Sequence, residues 1–295
     1  MAEMIENIYD VAFDIWNNLI VIAMTLFNTS PLEAQNGTLV GAISPVYTVL
    51  LDIGLSTALI FFLIAVIKET MSAPPGQQAH RLLLSGIRYG VILGILANLW
   101  DIMKIIINLT DDITAASAST TDITLSLSNE ARNVINTFFS SHPDFDLLHI
   151  GKSLAEWLQY GFMSFLFFIL SIVTLFIVVA SVISVISSAF QRILKPLVIM
   201  PFSAIMVAAG AGTGDSERAM WSYLKTFIGF CLSGAVMVIC IRLGVQLCNG
   251  ISIMSGGGSV SATKQMLYLT VQVAITPIIV AGLIKSVDSI IARFL

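Results

Sequence analysis

Charged side chains are scarce in this sequence. Asp, Glu, Lys and Arg make up 11% of its 295 residues, whereas hydrophobic residues make up 57%, and the mean hydropathy is +0.92. A soluble protein of this length carries about 25% charged residues. We therefore predict an all-α fold, that of a polytopic α-helical membrane protein. The net charge of −4 also supplies no overall basic field with which to hold nucleic acid.

The residues that would support a metal site or a catalytic site are also lacking. Cys231, Cys240 and Cys248 lie in one apolar stretch without a CxxC spacing, and no cluster of histidines accompanies them. Neither HExxH nor GxSxG occurs, and the glycine run that starts at Gly210 lacks the GK[ST] ending of a phosphate loop. We predict a protein that is not an enzyme, with no metal, no cofactor and no catalytic residue.

No Lys or Arg precedes Lys68, so the cationic start of a signal peptide is missing. Over residues 3–27, acidic and apolar side chains recur at steps of three and four, which predicts an amphipathic helix. Such a helix could lie along a membrane surface or pack on a neighbouring subunit. We assign residues 1–41 to an extracytoplasmic N-terminal helix and linker.

Hydrophobic runs predict about five transmembrane helices and one short segment that re-enters the membrane. Residues 42–109 form a hairpin of two spans, at 43–67 and 82–109. Residues 110–152 form a polar loop with six acidic and two basic side chains, which accounts for the whole negative balance of the chain. Residues 153–295 form a second membrane domain, with three spans and the re-entrant segment at 191–222.

Polar side chains occur inside these predicted spans. Ser44, Thr48, Asp52 and Ser56 follow one another at four-residue steps, so they share a helix face that should look into protein or water. Gly86, Gly90 and Gly94 form two overlapping GxxxG steps, which predicts close approach of another helix. The other intramembrane polar residues are Arg88, Asn98, Asp101, Lys104 and Arg242. They are either packing and interfacial residues or the lining of a polar path.

The stretch 191–222, which we call the central segment, contains the predicted re-entrant part. It begins with a cationic turn at Arg192 and Lys195, passes Pro196 and Pro201, and reaches the glycine-rich break Gly210, Gly212 and Gly214 before Trp221. The apolar part, residues 196–211, is roughly 24 Å long as a helix, which is shorter than a hydrocarbon core of about 30 Å.

Lys and Arg in short loops favour the cytoplasm. If residues 196–211 cross the membrane, Arg218, Lys225, Lys285 and Arg293 all face outside; if the segment re-enters, all four lie inside. Re-entry is therefore predicted, with the N-terminus outside and the C-terminus inside. We also expect Trp221 to lie at a membrane interface and to help fix the segment.

The central segment resembles the signature of the TrbL family, in the Arg-x-x-Lys-Pro start at Arg192, in Pro201 and in Trp221 after a run of small residues. The order of spans and loops is similar over most of the chain. The family comprises polytopic inner-membrane subunits of VirB-type type IV secretion and conjugation machines. The resemblance implies a channel or scaffold subunit in the bacterial cytoplasmic membrane, taking part in translocation of DNA or protein.

The same resemblance implies the partners: a secretion ATPase, bitopic scaffold proteins, further copies of the chain as a homo-oligomer, membrane lipid, and transient contact with the translocating DNA or protein. A second hypothesis is a small-molecule or ion transporter, because broken helices with intramembrane charges are what transporters use. Against this hypothesis, the sequence shows no internal repeat, whereas many transporters are built from repeats.

Overall fold

The computed structural model describes residues 1–74, 76–118, 124–141, 150–250 and 261–294, and these contain helices and no strand. The α-helices are α1 (Ala2–Asn28), α2 (Thr38–Ser72), α3 (Gln78–Ala97), α4 (Leu99–Ala118), α5 (Asn129–Ser140), α6 (Ile150–Ile199), α7 (Ser203–Ala208), α8 (Asp215–Gly250) and α9 (Ala262–Phe294). Short 3₁₀ turns at Met200–Phe202 and Ala209–Ala211 flank α7. The all-α prediction is confirmed.

Six helical stretches among the described residues are long and apolar enough to cross a membrane, which supports a multi-pass membrane protein. Each of the five predicted spans overlaps one of these stretches, although the stretch Gln78–Ala97 covers only the first part of the span predicted at 82–109. The sixth is α1, which we predicted as an amphipathic helix outside the membrane. Although α1 is amphipathic, its mean hydropathy of 1.4 is high enough for a membrane span.

The predicted span at 82–109 is divided into α3 and α4 at Asn98. The main-chain N–H of Asn98 donates to Ile95, one residue short of the α-helical acceptor, and the Asn98 side chain donates to the Gly94 carbonyl at 3.0 Å instead. An amide side chain can thus replace a main-chain donor, so one residue breaks a helix that hydropathy shows as continuous.

The third predicted span ends at about residue 190, whereas α6 continues to Ile199. Arg192 and Lys195 therefore lie on a helix and not in a turn, and Pro196 lies inside that helix. The predicted polar loop also contains helix: α4 extends to Ala118, and α5 lies within the loop. The parts of that loop at 119–123 and 142–149 lie outside the described residues.

The chain divides into two compact units, which we describe separately. The first comprises residues 1–25, 120–188 and 237–286. In it, Asn17 binds Leu125 through both its side-chain oxygen and its side-chain nitrogen, each at 2.8 Å. Arg132 of α5 pairs with Asp10 of α1 at 2.7 Å. The face of α1 that carries Ile5, Tyr9, Ala12, Trp16 and Ile20 is buried. The amphipathic helix therefore packs on its own chain.

The Tyr9 hydroxyl joins α1 to α9 through a 3.0 Å hydrogen bond to Thr270, in which either oxygen can donate. These two buried residues are 261 positions apart in the chain.

The second unit comprises residues 26–119, 189–236 and 287–295. Its core contains Ala58, Ile92, Leu96, Met200, Ala204, Val207, Ala208, Met220 and Phe227. Gly54 of α2 lies against the main chain of Ala204 in α7, and small side chains on both sides allow this close approach. The central segment belongs to this unit and is packed by α2, α3 and α8.

Candidate functional site: the central segment and its buried charges

Arg192 is the most deeply buried charge in the central segment, with 2% of its surface exposed. Its guanidinium donates to the Asp111 carboxylate at 2.7 Å, to the Thr29 carbonyl at 3.3 Å, to the Thr114 hydroxyl at 3.4 Å and, more closely, to the Phe27 carbonyl. One side chain of α6 therefore holds the end of α1 and the middle of α4. An arginine suits this position because its planar group carries five donors.

Asp111 is the counter-charge of Arg192, with 15% of its side chain exposed. Burial raises the pKa of the Asp111 carboxyl, while a hydrogen bond from Ser30 and the charge of Arg192 oppose that rise. Removing one partner from a buried ion pair leaves an uncompensated charge and costs about 3–5 kcal/mol. The pair therefore acts as a structural lock.

Gly234 of α8 provides the space that this guanidinium occupies. A Cβ at position 234 would lie 2.6 Å from Cζ and 2.7 Å from Cδ of Arg192, and still nearer to its Nε. The guanidinium cannot move aside cheaply because Asp111 and two carbonyls hold it. Gly234 is thus part of the site, although it carries no side chain.

Lys195, one turn after Arg192, forms the second ion pair of the segment. Its ammonium donates to the carboxylate of Asp288 in α9 and lies 5.6 Å from the ring centre of Phe230 in α8. Arg192 and Lys195, the two cations of the sequence signature, therefore tie α6 to other helices of this unit.

The helix breaks at Met200 and Pro201, and the break is protected from lipid. The N–H of Ser203 donates to Met200, so the carbonyl of Ile199 loses its usual partner. The hydroxyl of Tyr223 donates to that carbonyl at 3.0 Å. Met200, Pro201, Ser203, Ala204 and the stretch 207–212 are buried. Irregular backbone at membrane depth requires this kind of cover.

The glycine-rich break closes the segment. Gly210 lies under Met220 and Ile92, where a Cβ would be 2.9 Å from Cδ1 of Ile92. Gly214 has a φ of +73°, a conformation that favours glycine. The break is therefore a tight turn before α8, buried at Gly210 and Gly212 and exposed at Gly214.

Arg88 fixes the turn from α3, since its guanidinium donates to the carbonyl of Gly212 at 3.2 Å. The Arg88 guanidinium also lies 3.7 Å from Glu69, whose carboxylate accepts a hydrogen bond from Ser85. Arg88 was predicted as an intramembrane polar residue, and the structure gives it partners within its own chain.

The remaining predicted intramembrane charges differ in environment. Asp101 and Lys104 pair at 3.8 Å along α4, as their spacing predicts, and the Lys104 ammonium lies 5.4 Å from the ring centre of Trp100. Arg242 has buried Nε and Nη2 atoms that find no hydrogen-bond partner within the described ranges.

The Asp52 carboxylate has no hydrogen bond or ion pair with any described residue, and Asp52 is exposed on α2 together with Ser44, Thr48 and Ser56. The hydroxyls of Thr48 and Ser56 donate to main-chain carbonyls of their own helix, at Ser44 and Asp52. Among the described residues, the Asp52 carboxylate is the charged group of this polar face, and it is left unpaired.

The predicted packing glycines Gly86, Gly90 and Gly94 are exposed, and no heavy atom lies within 4 Å of the Cβ that any of them would carry. No helix of the described chain uses this strip. Glycine contacts between helices occur instead at positions such as Gly54, Gly210, Gly234 and Gly244.

Trp221 is 55% exposed on α8, whereas its neighbours Met220 and Tyr223 pack in the core of this unit. Sequence reasoning missed those two residues and the acidic partners Glu69, Asp111 and Asp288. The acids carried a usable signal. In a chain with so few charges, an acid beside an apolar run is a candidate partner for a buried cation.

Within the part of the chain that the structure describes, no group of three His, Cys, Asp or Glu side chains could hold a metal ion. Cys231 and Cys240 are free thiols. The side chain of Cys248 lies outside the described residues.

Comparison with known proteins gives no similarity to place beside this geometry. No family model, no curated protein and no solved structure matches the chain.

Proposed function

We propose that this chain is a channel or scaffold subunit of a VirB-type type IV secretion or conjugation machine in the bacterial cytoplasmic membrane. The observation that carries the proposal is the polar face of α2. That helix has a mean hydropathy of 2.5, and it leaves the Asp52 carboxylate exposed. A carboxylate facing lipid is costly, so another protein chain or a water-filled path must cover it.

The glycine strip of α3 supports the same proposal. Three glycines at four-residue steps lower helix propensity, and within the described chain nothing uses the space that they leave. A subunit of a membrane assembly gains from this arrangement because a helix of a neighbouring subunit can approach the strip closely.

The paired charges support a scaffold role for the central segment. Arg88, Arg192 and Lys195 are each engaged by acidic side chains or carbonyls of the same unit. A transporter would present such charges to its substrate at the middle of the membrane. Here they hold helices together, and this favours a fixed structural element.

In this proposal the substrate is DNA or protein driven by a cytoplasmic ATPase, with bitopic scaffold subunits and further copies of the chain as partners. The N-terminus lies outside and the C-terminus lies inside. The central segment begins beside Asp111, at the start of the outer loop, and its glycine-rich end lies beside Arg88 on the cytoplasmic side. The resemblance of the central segment to the TrbL signature supplies this assignment, and the unpaired polar face agrees with it.

Photocrosslinking in cells that carry the transfer machine tests the proposal. A photoreactive residue at Ser56 on the polar face should crosslink to protein or to transferring substrate. The same residue at Ile53, which is exposed about 60° from Ser56 and about 100° from Asp52 around α2, should report lipid. Transfer should be lost on deletion of the gene. Lipid crosslinks at both positions with transfer intact would overturn the proposal, as would solute uptake by the purified protein alone.

A further inference from the structure

A cavity of about 250 Å³ lies between α8 and the end of α9, within the second unit. It is lined by Ser222, Lys225, Thr226, Gly229, Phe230, Asp288 and Ile291. The wall therefore combines an ammonium group, a carboxylate and two hydroxyls with an aromatic ring and an aliphatic side chain. Such a mixed lining suits an amphiphilic ligand.

The lining carries Lys225 and Asp288, and the neighbouring Lys195 makes the net charge at the cavity positive. Asp288 is already neutralised by Lys195, whose ammonium also lies over Phe230. Lys225 is exposed and has no acidic partner among the residues described. One uncompensated ammonium therefore remains at the cavity, and the hydroxyl of Ser222 stands one turn before it on α8. Together these donors match a phosphate group.

The position of the cavity along α8 indicates headgroup depth. Trp221 and Lys225 are four residues apart, so they lie on one face of the helix, and Trp221 is 55% exposed. Exposed tryptophan is enriched at the membrane–water interface. Leu194 and Val198, which flank Lys195 on the outer surface of α6, are 46% and 60% exposed. This apolar surface can face acyl chains.

We infer that this cavity binds the phosphate headgroup of an anionic phospholipid. Lys225 and Ser222 donate to the phosphate, and Phe230 and Ile291 contact the glycerol and the start of the acyl chains. Basic pockets between membrane helices bind anionic headgroups in this way. The inference requires only that α8 and α9 lie in the membrane, so it stands apart from the proposed role in secretion.

Native mass spectrometry of the full chain, released from nanodiscs or detergent with added phosphatidylglycerol or phosphatidylcholine, tests the inference. We expect retention of one phosphatidylglycerol and no retained phosphatidylcholine. Lys225→Ala should weaken retention by about fivefold, the contribution of one basic residue at an anionic headgroup. Lys225→Arg should restore it.

Lys285→Ala is the matched control because it removes another exposed lysine, on α9, that does not line the cavity. Equal losses in Lys285→Ala and Lys225→Ala would show a response to net charge and overturn the inference. Equal retention of phosphatidylcholine would also overturn it. Displacement of the lipid by millimolar inorganic phosphate would identify a free-phosphate site instead of a lipid site.

Discussion

Gly54 and Ala204 are in direct main-chain contact. A Cβ built on Gly54 would lie 2.8 Å from the carbonyl oxygen of Ala204 and 3.1 Å from its Cβ. This contact brings α2 against the short helix α7, whose polar backbone needs protein cover at membrane depth. A larger residue at position 54 would therefore press on the main chain of Ala204, which cannot move aside easily.

Gly54→Ala should destabilise the protein. A Cβ forced onto a main chain costs about 1–3 kcal/mol, which exceeds the gain of about 0.5–1 kcal/mol from replacing a helical glycine. The matched control is Gly41→Ala, in the same helix, where nothing lies within 4 Å of the new Cβ. Thermal unfolding in detergent should show a lower midpoint for Gly54→Ala only. A lower midpoint for both variants would contradict the packing argument.

Gly90→Ala separates stability from assembly. The strip is open within the described chain, so the variant should keep the unfolding midpoint of the wild type or raise it slightly. If a neighbouring helix packs on Gly90, the added methyl group should reduce recovery of this chain in crosslinked complexes from membranes. Unchanged recovery for Gly90→Ala and for Gly94→Leu would show that the strip faces lipid.

Asp111→Asn should destabilise the protein by about 3–5 kcal/mol because Arg192 would stay buried without its counter-charge. The control is Asp112→Asn, the same change at the next, exposed position of α4. The double variant Asp111→Leu with Arg192→Met removes both charges and should unfold at a higher temperature than either single variant. Additive losses would contradict a lock formed by the pair.

Arg88→Ala should release the glycine turn. Loss of a hydrogen bond from a charged donor costs about 1.5–3 kcal/mol, so amide exchange over 210–214 should accelerate about tenfold or more. Lys104→Ala is the control, because its partner Asp101 lies on its own helix. Exchange mass spectrometry that finds the turn equally protected in both variants would assign its stability to Met220 and not to Arg88.

A topology reporter fused after Ser216 should read as cytoplasmic. The glycine turn lies beside Arg88 of α3, near the connector at 68–81, and this position keeps Arg218 and Lys225 on the inside, in accord with the distribution of basic residues. Fusions in the connector at 68–81 and in the polar loop at 110–152 calibrate the cytoplasmic and external signals. An external signal after Ser216 would make the segment a true span and reverse the orientation of α8 and α9.

Composition and periodicity predict the fold class of this protein well, because lipid imposes one rule on every span: an apolar surface and an internally bonded backbone. The pair Asp101 and Lys104 was also predictable, since both residues lie on one helix. The spacing of two residues within one helix is enough to predict such a pair, because the pair does not depend on how helices pack.

The partners of Arg192 and Lys195 were not predictable in the same way. Asp111 lies 81 positions from Arg192, and Asp288 lies 93 positions from Lys195. The sequence placed both cations in a turn; the burial of Arg192 and the acid that meets each cation depend on helix packing. The break at Asn98 was hidden for a different reason. Hydropathy averages over a window, and a single side-chain amide there changes the hydrogen-bonding pattern.

The bond between Tyr9 and Thr270 also sets an order for biogenesis. The two residues are 261 positions apart, so at about 5–20 residues per second the ribosome needs roughly 13–52 s to supply the second after the first. Throughout that time α1 has emerged without the last helix that it will contact. During synthesis α1 therefore lacks its contact with α9, and an insertase or a chaperone can bind α1 before that contact forms.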